Sequence, residues 1–236
     1  MQEVQAIFVD CDGVLYDVDL LTYEEIVAAG RQAGTALGLR WDDFDKIHTD
    51  LKERHYHGFY NTVLKLCQTQ GVSFSALAKE MVGFLDYSRI KPDKELLPLL
   101  QKVALDRKLY IFTNNTQAHL EKVFNQLFNC SVQDSGLAAI TAESTLENGY
   151  FYPKRMDGVL TKWCKKIGVL PQNTLMLDDT NTVIKAAQKE GLQYRQIENA
   201  QMTKSILKEL YEEHKRHPNL RQTSCRISAQ KSASRD

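Results

Sequence analysis

Two aspartates separated by a single residue, Asp10 and Asp12, follow the apolar run Ala6-Ile-Phe-Val9. Strand residues i and i+2 share a face, so both carboxylates are expected to crowd together where the strand ends. Crowded carboxylates repel, and neither is easily buried without a partner. A divalent cation, or a proton shared with a substrate, relieves that repulsion. Gly13 follows, which allows a sharp turn and the close approach of a ligand. The alternative is an Asp-x-Asp-Gly turn that simply ends a strand at the surface. Two more strand-like runs also end in polar groups: Lys108-Leu-Tyr-Ile-Phe112 in Thr113-Asn114, and Thr174-Leu-Met-Leu177 in Asp178-Asp179. Turn chemistry alone does not call for that coincidence.

If these ends converge, Asp10, Asp178 and Asp179 form an acidic nest suited to a hard cation with oxygen ligands. Magnesium fits, since it takes one or two carboxylates, waters and a phosphate oxygen. Asp10 could then attack phosphorus to give an aspartyl-phosphate. Asp12 could protonate the leaving oxygen and later deprotonate the attacking water. The Thr113 hydroxyl and the Asn114 backbone N–H could hold phosphoryl oxygens. Lys154, which follows Gly149 and Pro153, would complete the electrostatic cradle.

The elements that must position these groups alternate. Helical spacing runs through residues 20–38, 42–54, 56–70 and 74–86, with no convincing strand between. Beyond Lys91-Pro92, helices at 93–105, 116–127, 156–168, 182–190 and 201–214 alternate with strands at 108–113, 174–177 and 193–197. The short apolar run Leu137–Ile140 joins them. Such alternation implies a parallel sheet covered on both faces, with ligands at the carboxyl ends of its strands. The expected architecture is α/β: a Rossmann-like core from residues 1–16 and 92–214, a helical cap over 17–91, and a basic tail over 215–236.

Composition bounds the function class. Of 236 residues, 43% are hydrophobic, and thirty basic residues balance thirty acidic ones, so bulk charge favours no polyanionic partner. Self-association is left open. No apolar run approaches the ~18 residues that span a bilayer, and a cytoplasmic location is expected. The five cysteines, at 11, 67, 130, 164 and 225, are scattered and odd in number, which suits free thiols in a reducing compartment. Cys11, between two carboxylates, is expected to be a packed thiol rather than a nucleophile. From Lys215 onward six Lys/Arg face one acid, and disorder is expected there. Nucleic acid, lipid or another partner would bind, if at all, through that tail. Arg54, Tyr56 and Tyr60 are candidate contacts for a base or ribose. His55 and His57, two apart on a helix, share no face and make a poor metal pair.

Four separated motifs resemble the haloacid dehalogenase-like phosphohydrolases: Asp10-Cys-Asp12-Gly-Val-Leu-Tyr, Phe112-Thr113-Asn114, Lys154 and Leu177-Asp178-Asp179-Thr180. The resemblance covers about residues 5–200. It implies a Rossmann-like core with a helical cap of the C1 type inserted between the first two motifs. By resemblance, Asp10 is nucleophile and metal ligand, and Asp12 is the acid/base whose carbonyl also binds Mg2+. Asp179 is then the direct metal ligand, with Asp178 direct or through water, while Thr113 and Lys154 bind phosphate. Leu15-Tyr16, Ile90-Lys-Pro-Asp93 and the aspartate doublet are similar to the pyrimidine 5′-nucleotidase branch. Pro153 before Lys154, Arg155 after it, and Val183 in place of an acid or amide depart from the family pattern. The implied function is a phosphomonoesterase acting on a small phosphorylated substrate, expected to be a nucleoside 5′-monophosphate. Alternatives are a phosphosugar phosphatase or mutase, or an interaction protein that keeps the fold without turnover.

Overall fold

The computed structural model describes residues 3–53 and 58–216, with side chains to residue 213. In chain order its strands are β1 (Ala6–Val9), β2 (Lys108–Phe112), β3 (Ala138–Ile140), β4 (Leu146–Glu147), β5 (Tyr150–Phe151), β6 (Thr174–Asp178) and β7 (Gln193–Gln196). Five of them form one sheet in the order β3-β2-β1-β6-β7, with every pairing parallel. All four residues of β1 are buried, as expected for a central strand covered on both faces. The chain builds outward from β1 to β2 and β3, then crosses back to β6 and β7. That reversal opens the crevice beside the carboxyl end of β1 where α/β sheets bind ligands.

Alternation along β1 divides the core. Ile7 and Val9 join one apolar cluster with α5 (Leu96–Ala104), α6 (Gln117–Phe128) and α9 (Ala200–Arg216). Phe8 points the other way, into a cluster with Phe112, Met176, α7 (Val159–Ile167) and α8 (Asn181–Lys189). The five strands and the helices around them give the α/β Rossmann-like fold expected from the sequence.

The long connection from β1 to β2 carries four further helices, α1 (Tyr23–Ala36), α2 (Phe44–Glu53), α3 (Phe59–Gln70) and α4 (Phe74–Met81), and no strand among the described residues. Thr22 starts α1 with a reciprocal capping box to Glu25, so this helix begins later than its apolar spacing suggests. Gly30 lets α1 and α3 meet, because a Cβ there would lie 2.4 Å from the Phe59 ring. Helix α4 ends at Met81 and passes into a 3-10 turn over Val82–Phe84, short of the expected 86, as Leu85 turns extended.

The inserted helices dock on the sheet's carboxyl edge. The Asn61 side chain donates to the Phe151 carbonyl at 2.9 Å and accepts from its N–H at 2.7 Å, pairing with β5 as a strand residue would. Sequence periodicity gave no warning of the β4–β5 hairpin, whose strands have two residues each. Its signal is the Asn148-Gly149 turn, with φ of 51° and 80°.

Candidate active site

Strand β1 delivers Asp10 to the carboxyl edge, where it is 7% exposed, and β6 ends on the fully buried Asp178. Lys154 reaches both from the loop after β5. Its Nζ lies 2.7 Å from Asp10 Oδ1 and 2.6 Å from Asp178 Oδ2, with the side chain buried. The Lys154 backbone N–H donates to Asn114 Oδ1 at 3.0 Å, so the end of β2 holds this loop in place. Flanking by Pro153 and Arg155 therefore does not keep Lys154 from the site.

Asp179 packs directly over the turn that follows β1. A Cβ on residue 13 would sit 2.4 Å from Asp179 Oδ2, and the backbone there has φ +74°, so glycine is required on two counts. Carboxylate oxygens of Asp10, Asp178 and Asp179 lie within 4.8 Å of one another. Three carboxylates facing one ammonium leave two negative charges uncompensated. A divalent cation with oxygen ligands matches that donor set and that charge. Burial, outweighing Lys154 and joined by Asp178 and Asp12, pushes the Asp10 carboxyl well above its ordinary 3.8. Asp179 is also raised, by burial and the nearby Asp178, against the Thr180 hydrogen bond and Lys154. Lys154 is shifted up despite its burial, because Asp10 and Asp178 favour the ammonium form.

Asp12 meets the opposite environment. Its Oδ1 accepts from the Tyr16 hydroxyl and from His119 Nε2 at 2.9 Å. Its Oδ2 accepts from Asn115 Nδ2 at 2.7 Å and, less closely, from Thr113 Oγ1 at 3.4 Å. A carboxylate offers about four lone-pair sites, and all are engaged here. Burial alone would raise its pKa, but His119, Tyr16 and Asn115 together override that and hold the carboxyl well below 3.8. Asp12 remains close enough to Asp10 to raise its carboxyl, but it is carried by a turn rather than by the strand. Strand β1 ends at Val9, and a turn closed by Leu15 N–H donating to Cys11 O at 2.9 Å takes Asp12 out of the pleat.

The network extends beyond these contacts. The Tyr60 hydroxyl on α3 donates to Asn115 Oδ1 at 2.6 Å, and the Tyr87 hydroxyl lies 2.9 Å from His119 Nδ1. Tyr16, just before the inserted segment, and Tyr60 and Tyr87 within it converge on Asp12, the first directly and the other two through a core side chain.

The profile of the haloacid dehalogenase-like hydrolases matches residues 4–191, most of the chain. The chain belongs to that family. No curated relative matches the sequence. Among solved structures, it is similar to CbbY from Rhodobacter sphaeroides in complex with xylulose-(1,5)bisphosphate, at 15% identity and TM-score 0.52, covering 81% of this chain and 85% of that one. The same protein in complex with phosphate gives 15% identity and TM-score 0.51, with the same coverage. L-2-haloacid dehalogenase from Xanthobacter autotrophicus, with chloropropionic acid covalently bound, aligns at 17% identity and TM-score 0.47, over 82% of this chain and 77% of that one. At these identities the likeness to CbbY speaks for the fold alone.

Within this haloacid dehalogenase-like hydrolase, the structure brings Asp10, Asp12, Thr113, Asn114, Lys154, Asp178 and Asp179 to one sheet edge. Thr113 is buried, and its hydroxyl accepts from the Asn115 N–H at 3.0 Å. Val183 is a core residue of the cluster under α8 and offers no ligand. Cys11 is buried, its thiol raised by burial and by Asp12 and Asp10, in keeping with a packed residue. Tyr60 turns its hydroxyl toward the core, while Arg54, Tyr56, His55 and His57 lie outside the described residues, as does the tail from 217 onward. Asn115, His119 and Tyr87 escaped the sequence reading. The available signal was Thr116, which caps α6 by accepting the His119 N–H at 3.3 Å, so His119 is in the helix's first turn beside the strand ends. Among the described residues, no helix is long and apolar enough to cross a membrane.

Proposed function

We propose that this hydrolase is a magnesium-dependent phosphomonoesterase acting on a small phosphorylated metabolite, with nucleoside 5′-monophosphates as the first substrates to test. The observation that supports it is Asp12. A hydrolase that expels a halide has no leaving oxygen to protonate, whereas phosphoester cleavage needs an acid and then a base beside the nucleophile. In this reading Asp10 attacks phosphorus, the bond to the alcohol oxygen breaks, and Asp12 gives that oxygen its proton. Asp12 then takes a proton from water, which attacks phosphorus and frees Asp10. Asp12 Oδ2 suits this work, because its Thr113 contact is long and its Asn115 contact is tied through Tyr60 to the inserted helices. Lys154 offsets charge on Asp10, and Thr113 and Asn114 are the residues to meet the phosphoryl oxygens. A divalent cation held by Asp10, Asp178 and Asp179 would neutralise the charge of the site and of an arriving phosphate.

Residues 17–91 are the cap in this proposal, 1–16 and 92–214 the catalytic base, and 215–236 a tail dispensable for turnover. The free thiols among the described cysteines suit a cytoplasmic setting. The test is phosphate release from nucleoside monophosphates and sugar phosphates, with magnesium and with EDTA, for wild type and Asp10→Asn. Turnover on nucleoside monophosphates that disappears in both controls supports the proposal. Turnover confined to sugar phosphates transfers the substrate assignment, and silence on the whole panel from folded, magnesium-binding protein overturns it.

A further inference from the structure

Asp12 Oδ1 is held by two donors, whereas Oδ2 keeps one close donor, Asn115, and one long contact, Thr113, that a substrate oxygen can replace. The partners of Oδ1, Tyr16 and His119, are buried at 3% and 0% exposure, whereas Oδ2 faces the residues that end β2. A carboxylate oxygen only accepts, so His119 Nε2 carries a hydrogen. His119 Nδ1 lies 2.9 Å from the Tyr87 hydroxyl, which can donate to or accept from it. Tyr87 thus fixes the ring so that Nε2 faces Asp12. The two rings also pack at 5.5 Å between centroids, inclined by 53°. Packing alone would not require a polar partner on each ring nitrogen. An apolar side chain of similar size would fill the same space.

We infer that His119, set by Tyr87, is the positioning residue for Asp12. It fixes Oδ1 so that Oδ2 meets the leaving oxygen in the first half-reaction and water in the second. The inference rests on the phosphomonoesterase reading above. Misplacing a reacting group by about 1 Å costs on the order of 10²-fold in rate, which sets the size of the effect.

Two probe substrates separate positioning from packing. One is p-nitrophenyl phosphate, whose leaving group departs without a proton, and the other is an alkyl phosphate monoester, whose leaving group needs one. In His119→Leu, kcat on the alkyl ester falls about 10²-fold, while KM stays within about twofold. On p-nitrophenyl phosphate the same variant releases one equivalent of nitrophenolate at close to the wild-type rate. Turnover then slows, because the second half-reaction still needs Asp12. His119→Gln, which keeps an N–H donor near Nε2, recovers most of the loss. Tyr87→Phe removes one oxygen only and gives the same split at about tenfold. It carries the test if His119→Leu does not fold. Equal losses in burst and turnover on both substrates, or no loss in either variant, overturn the inference and leave the phosphomonoesterase reading intact. A wild type silent on both probes overturns that reading, and the inference with it.

Discussion

Asp10 and Asp12 leave the same strand two residues apart and enter opposite surroundings. Asp10 shares one lysine with a second buried aspartate and has a third carboxylate within reach. Asp12 is saturated by Tyr16, Thr113, Asn115 and His119. The first is pushed above the ordinary carboxylate range and the second below it. In the metal-free site these shifts oppose the proposed roles: a cation beside Asp10 would favour its carboxylate, and Asp12 carries a proton to give only after it has taken one from water. The Asp10 side has an electrostatic deficit that a cation can offset. The Asp12 side is already complete, and it is wired to the inserted helices.

The contrast can be broken most forcefully at the nucleophile. Asp10→Asn should lower kcat by about 10⁴-fold or more, with no burst of nitrophenolate. Asp12→Asn should lose about 10²–10⁴-fold in turnover yet retain the burst, because its role is proton transfer. Identical profiles for the two variants would erase the distinction.

Removal of the shared cation comes next in size. Lys154→Met leaves Asp10 and Asp178 buried together without a counter-charge, and urea unfolding should register a loss of about 3–5 kcal/mol. Magnesium should then restore part of it. In wild type, magnesium at about 100 times its Kd should add about 2.7 kcal/mol, seen as a rise in Tm. Asp179→Asn should blunt that rise, whereas Tyr16→Phe, on the Asp12 side, should leave it unchanged.

The smallest effect carries the clearest sign. Asp12 has a folded value below its unfolded 3.8, so the stability it contributes is fully present above pH 3.8 and is lost as pH falls through the folded value. Asp10 is raised, so without metal its ionisation costs stability that returns as pH falls below its folded value. In metal-free protein at neutral pH, Asp12→Asn should destabilise by about 1–3 kcal/mol, since a donor replaces an acceptor among donors. Asp10→Asn should stabilise. Thermal melts with chelator check both, and a shared sign would contradict the electrostatic contrast.

The acidic half of this comparison was legible in the sequence, and the saturated half was not. Short apolar runs ending in Asp10, Thr113 and Asp178 mark three strand ends, and parallel topology brings those ends together without further information. Lys154 was legible as a charge in search of partners. Asn115 and His119, which hold Asp12, read as ordinary polar residues of a turn and a helix start up to 107 residues away, and Tyr87 behind His119 reads as part of a 3-10 turn. No local periodicity links them. The same holds for Asn61, which reads as a polar interruption in an amphipathic helix yet closes a two-bond pairing with β5. Both aspartates lie beyond β1, which ends at Val9, so the period-2 rule alone does not set how Asp12 is held.

The most direct measurement follows the oxygen of water. Turnover of a phosphate monoester in water labelled with heavy oxygen, followed by mass spectrometry of the phosphate and of the peptide carrying Asp10, reports which atom water attacks. Attack at phosphorus puts the label in the released phosphate and none in the Asp10 carboxylate, which is the result this account predicts. Label in the Asp10 carboxylate would locate the attack at an acyl carbon, as in displacement of a halide from carbon, and would contradict it.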